Sequence, residues 1–573
     1  MYRENFEIWL ESQYIDGKIK EELRAIEKIE SEIEDRFYKD LEFGTGGMRG
    51  KIGAGTNRMN VHTVSKATQG ISNYLNNKYT DDDISVAIAY DSRHMSMEFA
   101  KIAACVFSAN GIKVYLFENL RPTPELSYTV RYFKCKAGVV ITASHNTAEY
   151  NGYKIYDEHG GQVTTDIDVI IKNIKEVQLK DIKSSQFEQN SNIIIIGEEI
   201  DTSYINDIKK LSLRTDIDKS LKIVFTPLHG TGNKPIRRLL KEIGYENISI
   251  VHEQENPDPD FSTVKSPNPE DISSFDLAIK HAQKINADII LGTDPDCDRV
   301  GLVVKNHKNE YIALNGNQTG ALLLNYILST LKEKNSLPSN GAIIKTIVTS
   351  ELGREIALKY GVAAYDTLTG FKYIAELMEL FEAKQDYKFI FGYEESYGYL
   401  SGTFVRDKDA VIASMLLCEM TAYYNKQNKN LLDVLYDIYE EYGYFIEETL
   451  SLSFTGITGQ NKMKAIMEYF RENKLNSLSG KNIPLVYDYK MGIASNLLNG
   501  QTEKINYPKS DVLKFCFEDS SWIALRPSGT EPKLKVYFSI REAEEKEAIE
   551  SLGKIKTEIV GIDERIELNN QAG

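Results

Sequence analysis

The stretch "LKIVFTPLHGTGNKPIRRLLKEIGYENISIV" (residues 221–251) decides the fold, because it reads as strand, helix, strand. It is followed by "ADIILGTDPDCDR" (residues 287–299), another strand that ends in an acidic loop. Alternation of this kind marks parallel α/β layering. The same pattern runs upstream. "DISVAIAY" (83–90) is a buried strand, "SMEFAKIAACVFSANG" (96–111) a helix closed by glycine, and "IKVYLF" (112–117) the next strand. A further helix, "PELSYTVRYFK" (124–134), leads into "AGVVITASHN" (137–146). Downstream, "GAIIKTIVTSELGREIALKYG" (341–361) restarts the pattern, which ends in "YKFIFGYEESYGY" (387–399). Three apolar strands thus end in polar loops: "ITASHN", "LGTDPDCDR" and "FGYEES". Ligands of open α/β sheets bind outside the carboxyl ends of strands, where these loops lie.

At 573 residues the chain is too long for one core, and roughly 150 residues per domain gives about four domains. Residues 1–42 read as acidic amphipathic helix. Boundaries are expected in the hydrophilic stretch near residues 180–193, near Tyr311, and near residues 440–452. The last segment holds "SWIALRPSGTEPKLKVYF" (521–538), two strand-like runs around a turn, and reads as a smaller α+β domain. With 42% hydrophobic and 27% charged residues the composition is that of a soluble protein. A net charge of −16 argues against general affinity for nucleic acid. No signal-peptide pattern opens the chain, and no window reaches the ~20 apolar residues of a membrane span. The five cysteines are scattered without a CxxC pair, which fits a reducing cytoplasm.

The loops carry the chemistry. Asp294, Asp296 and Asp298 alternate along "DPDCDR", so an extended loop can turn three hard oxygen donors the same way, toward Mg²⁺ or Ca²⁺. A solvated acidic turn is the plain alternative. An EF-hand is excluded, since Arg299 and Lys305 stand where it needs Gly and Glu. Cys297 is a spacer turned from the metal, and Arg299 is more naturally a phosphate ligand. "LRPSGTEPK" offers Arg526, Ser528, Gly529 and Thr530 as a phosphate cradle or a simple turn. "EFGTGGMRG" lacks the third glycine of a dinucleotide loop and is read as a glycine-rich loop presenting Arg49 to an anion, or as a flexible turn. Glu394, Glu395 and Ser396 in "GYEES" suit hydroxyl-rich ligands. Ser144 stands in "TASHN" and not in a G-x-S-x-G elbow, so hydrolase nucleophile, phosphate carrier and polar turn stay open. Lys154 is a candidate proton shuttle or a surface lysine.

"TASHN", "DPDCDR", "GYEES" and "RPSGTEPK", in that order over most of the chain, resemble the α-D-phosphohexomutases, which include phosphoglucomutases and phosphomannomutases. The resemblance implies an α/β fold of four domains around a central cleft: three related mixed α/β sheet domains plus a smaller C-terminal α+β lid domain. These would span residues 1–200, 201–310, 311–445 and 446–573. Carried over residue by residue, Ser144 is the phosphoserine, and it binds one Mg²⁺ with Asp294, Asp296 and Asp298. Glu394 and Ser396 hold sugar hydroxyls, while Arg526, Ser528, Gly529 and Thr530 hold the distal phosphate. Arg49, Lys154 and Arg299 complete the site, with Lys154 as general base, and His145 and Asn146 support the serine loop. "SPNPE" (266–270), "TLTGFKYI" (367–374) and "FGYEESYGY" resemble the longer phosphoglucomutase and phosphopentomutase branch, in which Thr369, Gly370 and Lys372 line the cleft. Thr147 stands where the family usually has proline, and Tyr393 where many members have glycine.

The activity implied is interconversion of glucose 1-phosphate and glucose 6-phosphate through glucose 1,6-bisphosphate. Phosphomannomutase and phosphopentomutase are the alternatives within the family. A metal-dependent sugar phosphatase and a non-catalytic sugar-phosphate binder are the alternatives outside it. Small sugar phosphates are the expected partners, with no nucleic acid, no membrane and no obligate protein partner, in the cytoplasm.

Overall fold

The computed structural model describes residues 2–44, 46–80, 83–454, 456–473, 475–527 and 533–571. The N-terminal segment is helical, as expected, and forms three helices, Tyr2–Glu11, Gly17–Ile26 and Glu30–Phe37. Asp16 caps the second by accepting from the N–H groups of Lys18 and Ile19, which breaks the run that periodicity alone leaves continuous. Phe6, Trp9, Ile33 and Phe37 give these helices a small core of their own.

The first sheet contains β1 (Phe43–Gly44), β2 (Gly47–Lys51), β3 (Ser85–Tyr90), β4 (Lys113–Phe117), β5 (Ala137–Ile141), β6 (Tyr150–Asp157) and β7 (Ile193–Ile196). Their order is β1-β2-β6-β5-β3-β4-β7. Every residue of β3 and β5 is buried, as expected of strands covered on both faces by helices. β5, β3, β4 and β7 are parallel, but β6 runs antiparallel to β5, and β2 to β6. The layering is therefore mixed. Only residues 142–149 join β5 to β6, too few for the crossover of a dozen or more residues that a parallel return needs. Gly152 allows the close return, because a Cβ there would stand 2.5 Å from the Thr142 carbonyl oxygen.

The second sheet contains β8 (Ile223–Thr226), β9 (Ile248–Ile250), β10 (Ile289–Thr293), β11 (Val300–Lys305) and β12 (Tyr311–Leu314), in the order β12-β11-β10-β8-β9. The opening stretch is β8, the helix Asn233–Glu242 and β9, with β8 parallel to both β9 and β10. β10 and β11 form a hairpin whose tip is the acidic loop. Next come β13 (Gly341–Thr346) and β14 (Ala363–Thr367), a parallel pair. β15 (Lys388–Glu394) and β16 (Gly398–Ser401) form an antiparallel hairpin around "EES".

The C-terminal segment adds β17 (Tyr444–Ser453), the short pair β18 (Ser477–Leu478) and β19 (Lys481–Asn482), β20 (Leu485–Asp488) and β21 (Ile493–Asn496). It ends with β22 (Thr502–Lys504), β23 (Leu513–Cys516), β24 (Trp522–Pro527) and β25 (Lys533–Glu542). The larger sheet here is antiparallel, in the order β17-β25-β24-β23-β20-β21-β22, and its core includes Phe515, Ile523, Val536 and Ile555. This is the α+β domain that the sequence implies.

Two compact units emerge, one of residues 1–319 with 371–430 and one of residues 320–370 with 431–573. The first two sheets and the β15–β16 hairpin belong to the former; β13, β14 and the C-terminal sheet belong to the latter. The expected third segment, 311–445, contributes to both. Among the described residues no helix is long and apolar enough to cross a membrane.

Candidate functional site

Ser144 lies in the loop that follows β5, after Thr142 and Ala143, and takes a left-handed backbone (φ 52°), a conformation unusual for any residue with a Cβ. Its N–H donates to Thr142 Oγ1 (2.8 Å), and its hydroxyl donates to Asp294 Oδ2 (2.8 Å), across 150 residues of chain. Both groups are buried. His145 Nδ1 lies 3.2 Å from the same hydroxyl. Burial and the positive charges of Arg299 and Arg49 push the His145 imidazole well below its ordinary pKa, which favours its neutral form.

The acidic loop brings three carboxylates to one point. Asp294, Asp296 and Asp298 are all buried, with one oxygen of each within 4.8 Å of the others. Asp294 Oδ1 accepts the N–H groups of Asp298 (3.1 Å) and Arg299 (3.0 Å), which fixes the tip of the hairpin. Cys297 adopts φ 55°, and its sulfur packs toward Gly232, where an added Cβ would stand 2.9 Å from it. Among the described residues Asp296 Oδ1 and Asp298 Oδ1 are buried without a hydrogen-bond partner. Unpaired buried carboxylate oxygens are costly, and hard oxygen donors clustered this closely fit a divalent cation such as Mg²⁺.

Three cations face that cluster. Lys154 Nζ reaches Asp296 Oδ2 (2.8 Å) and Asp298 Oδ2 (3.3 Å) from the middle of β6. Burial lowers its pKa, but the two carboxylates outweigh burial and the net direction is upward. In this state Lys154 is an ammonium. Lys408 Nζ lies 3.1 Å from Asp298 and 3.2 Å from Asp407, and Arg299 pairs with Glu270. Burial and the carboxylates of Asp296 and Asp298 raise the Asp294 pKa, whereas Lys408, Lys154 and Arg299 overcome burial and hold Asp298 low.

Arg49 lies in strand β2 and not in a loop. Its partner across the pair is Gly152 on β6, and its guanidinium donates to Asn146 Oδ1 (2.9 Å). Glu394, buried, ends β15, and its charge acts on both Arg299 and Lys408. Ser396 lies in the turn that follows. This turn touches the acidic hairpin, since Val300 N donates to Tyr397 O (3.2 Å). One unit thus gathers Arg49, Ser144, His145, Asn146, Lys154, the three aspartates, Arg299, Glu394 and Ser396. Lys372, in the first turn of the helix Phe371–Lys384, lines a small cavity with Gln162, Glu376 and Arg406. Thr369 and Gly370 (φ 112°) form the turn before that helix, and they belong with Arg526, at the end of β24, to the other unit. Ser528, Gly529 and Thr530 lie outside the described residues.

Two residues that sequence motifs do not flag complete the site. Arg93 donates through Nη1 to the carbonyls of Thr147 (2.8 Å) and Tyr150 (3.1 Å). Its Nη2 donates to the carbonyls of Ser144 (2.5 Å) and Asn146. Asp91 orients Arg93 and also accepts from Thr142 Oγ1 (2.7 Å). Lys408 is the second. Its segment is tied to the acidic loop because Ala410 N donates to Cys297 O (3.3 Å). The only signal for either was a charged residue just beyond a strand or just before a helix.

Comparison with known proteins gives consistent matches. The family described as phosphoglucomutase/phosphomannomutase matches in four parts: α/β/α domain I at residues 40–181, domain II at 202–308, domain III at 315–442 and the C-terminal domain at 490–552. A phosphoglucomutase of Staphylococcus haemolyticus is 40% identical over 513 residues, 88% of this chain and 91% of that protein. One of Staphylococcus epidermidis is likewise 40% identical over 513 residues, 89% of this chain and 92% of that protein. The crystal structure of parafusin, a phosphoglucomutase of Paramecium, shares the fold at a TM-score of 0.66 and 19% identity, covering 92% of this chain and 95% of its own.

Proposed function

This chain belongs to the phosphoglucomutase/phosphomannomutase family, and we propose that it is a phosphoglucomutase, interconverting α-D-glucose 1-phosphate and D-glucose 6-phosphate through phosphorylated Ser144 and glucose 1,6-bisphosphate. The observation that carries this reading is the Ser144 hydroxyl, buried and hydrogen-bonded to Asp294 within the three-carboxylate cluster. Glucose is favoured over mannose and pentose because the relatives at 40% identity are phosphoglucomutases.

Phosphoryl transfer asks a protein mainly for positioning and charge neutralisation. Asp294, Asp296 and Asp298, with the phosphate on Ser144, would hold one Mg²⁺. The ion supplies neutralisation of the charge on the transferring group. Phospho-Ser144 gives its phosphoryl group to the sugar 6-hydroxyl: the Oγ–P bond breaks, the P–O6 bond forms, and the hydroxyl proton leaves to Lys154. Lys154 can accept that proton only once Asp296 and Asp298 no longer hold it as an ammonium. The bisphosphate then turns over within the site. The O1–P bond then breaks as the Oγ–P bond re-forms on Ser144, O1 takes the proton back from Lys154, and glucose 6-phosphate departs.

The roles of the remaining residues follow from these demands. Arg49 and Arg299 neutralise the phosphate near Ser144, with His145 and Asn146 supporting the loop. Glu394 and Ser396 hold sugar hydroxyls. Arg526, Ser528, Gly529 and Thr530 hold the distal phosphate, with Thr369, Gly370 and Lys372 beside the sugar. We divide the chain at 1–200, 201–310, 311–445 and 446–573, a division supported by one family match within each segment. Five free cysteines suit a reducing compartment, and we infer the cytoplasm.

Ser144→Ala tests the reading. The variant should keep its melting temperature and lose mutase turnover, and the wild type should yield a phosphopeptide containing residue 144. A purified variant with the wild-type rate would sink the assignment. Rates on glucose, mannose and ribose 1-phosphates, with and without a bisphosphate primer, decide the sugar.

A further inference from the structure

Away from Ser144, a cavity of about 660 Å³ is walled by the helices Thr123–Tyr132, Glu198–Lys209 and Asn233–Glu242. That volume lies in the range of small-molecule sites. The last helix opens on "HGTGNK" (229–234), and no side chain caps it. The N–H groups of a first helical turn have no acceptor within the helix and attract anions. Thr231 lines the cavity at 3% exposure, and its hydroxyl has no hydrogen-bond partner.

The charges around the cavity leave one cation over. Asp201, Glu198 and Glu255 are ion-paired to Arg121 (2.7 Å), Arg238 (2.8 Å) and Arg237 (2.6 Å). Lys234, exposed on the lining, forms no ion pair among the described residues. Glu125 faces the same space at 1% exposure, and its Oε1 is also without a partner. Burial and the neighbouring Asp201 carboxylate push the Glu125 carboxyl well up, and its unpartnered Oε1 is placed to accept from a ligand hydroxyl. Leu120, Ile205 and Pro235 add an apolar wall.

We propose that this cavity is a second ligand site, taking an organic phosphate with its phosphate group at Thr231 and Lys234, and that its occupancy is read by the acidic loop of residues 294–298. Two walls of the cavity hold that loop from behind. Thr231 N donates to Pro295 O (2.8 Å), and Gly230 lies so close that a Cβ would stand 2.4 Å from the Pro295 Cα. On the other wall Thr123, two residues before Glu125, donates its N–H to Asp296 O (2.9 Å) and its hydroxyl to Asp296 Oδ2 (2.9 Å). A ligand bridging Thr231 and Glu125 therefore pulls on the main chain at Pro295 and Asp296 together. The binding half stands on the cavity alone; the coupling half rests on the mutase reading.

Titration calorimetry with phenyl phosphate, whose apolar body offers no sugar hydroxyls, tests the binding half. Wild-type protein should bind saturably. Thr231→Val, which removes a hydroxyl that bonds nothing, and Lys234→Ala should each weaken binding by about tenfold, the scale of one charge-assisted hydrogen bond. Arg526→Ala, in the proposed distal phosphate loop, should leave it unchanged. Absence of binding at millimolar phenyl phosphate, or loss in Arg526→Ala alone, overturns the site. For the coupling half, 4-hydroxyphenyl phosphate, which adds to the same ring and phosphate the hydroxyl that Glu125 would bond, should at saturating glucose 1-phosphate change kcat in the wild type and not in Thr231→Val. Binding with an unchanged kcat overturns the coupling and leaves the site. A protein with no mutase activity still reports the titration, so the two failures are distinguishable.

Discussion

Replacing Arg93 with lysine should uncouple the Ser144 loop from the sheet while keeping the charge that Asp91 needs. The guanidinium spreads four carbonyl contacts over two nitrogens: Thr147 and Tyr150 on Nη1, Ser144 and Asn146 on Nη2. A lysine has one nitrogen and cannot serve both pairs, so two contacts are lost. A hydrogen bond to a charged donor contributes about 1.5 kcal/mol at the low end, giving a loss of about 3 kcal/mol. Because Arg93 is 3% exposed and stacks 4.8 Å from the Phe261 ring centre, little of that is recovered from water. If the loss falls on the left-handed turn at Ser144, the competent loop becomes about a hundredfold rarer, and kcat should fall by the same factor. The assay pairs mutase kcat with the urea midpoint and with the phosphorylated fraction of the peptide containing residue 144. A kcat within twofold of wild type alongside a lowered midpoint would refute the argument, since Arg93 would then hold the fold and not the serine.

Other consequences can be checked directly. Chelation should abolish turnover and added Mg²⁺ restore it; full activity after exhaustive chelation would remove the cation from the mechanism. Burial pulls the Lys372 ammonium down from 10.5 to about 8 although Glu376 opposes it, so the charge is lost as pH rises through about 8. If Lys372 helps hold a phosphorylated sugar, kcat/KM should fall above about pH 8, and Lys372→Arg should carry the fall to higher pH; an identical profile in both proteins refutes the role. The buried Asp409 carboxyl is raised from 3.8 to about 7, chiefly by burial and against the bonds it accepts from Ile412, Tyr204 and Val411. With the folded value above the unfolded one, its contribution to stability is complete below about pH 4 and lost as pH rises to about 7. Asp409→Asn should flatten the urea midpoint over that window, and an unchanged slope would contradict the shift.

What was legible in the sequence, and what was not, divides along the length of chain over which the cause acts. β3, β5 and β10 were readable because burial on both faces demands continuous apolar runs, and the loops at their ends because polar residues in such runs stand out. Arg49 and Lys154 were readable as residues but not as strand residues. Their alignment comes from β2 and β6 pairing across 100 residues of chain, and "GGMRG" and "NGYKIY" carry no strong strand pattern. Arg93 and Lys408 left less trace still. Arg93 reaches the serine loop because β3 lies beside β5, an order that no local pattern encodes. Lys408 reaches Asp298 from a segment 110 residues later. Both are buried cations without motifs, and each answers a need created elsewhere, the strained turn at Ser144 in one case and the crowded carboxylates in the other. The reacting groups are therefore the part of such a site that sequence reveals, because chemistry restricts their type and spacing. The groups that hold them in place are revealed by the fold, because any element that happens to end nearby can supply them.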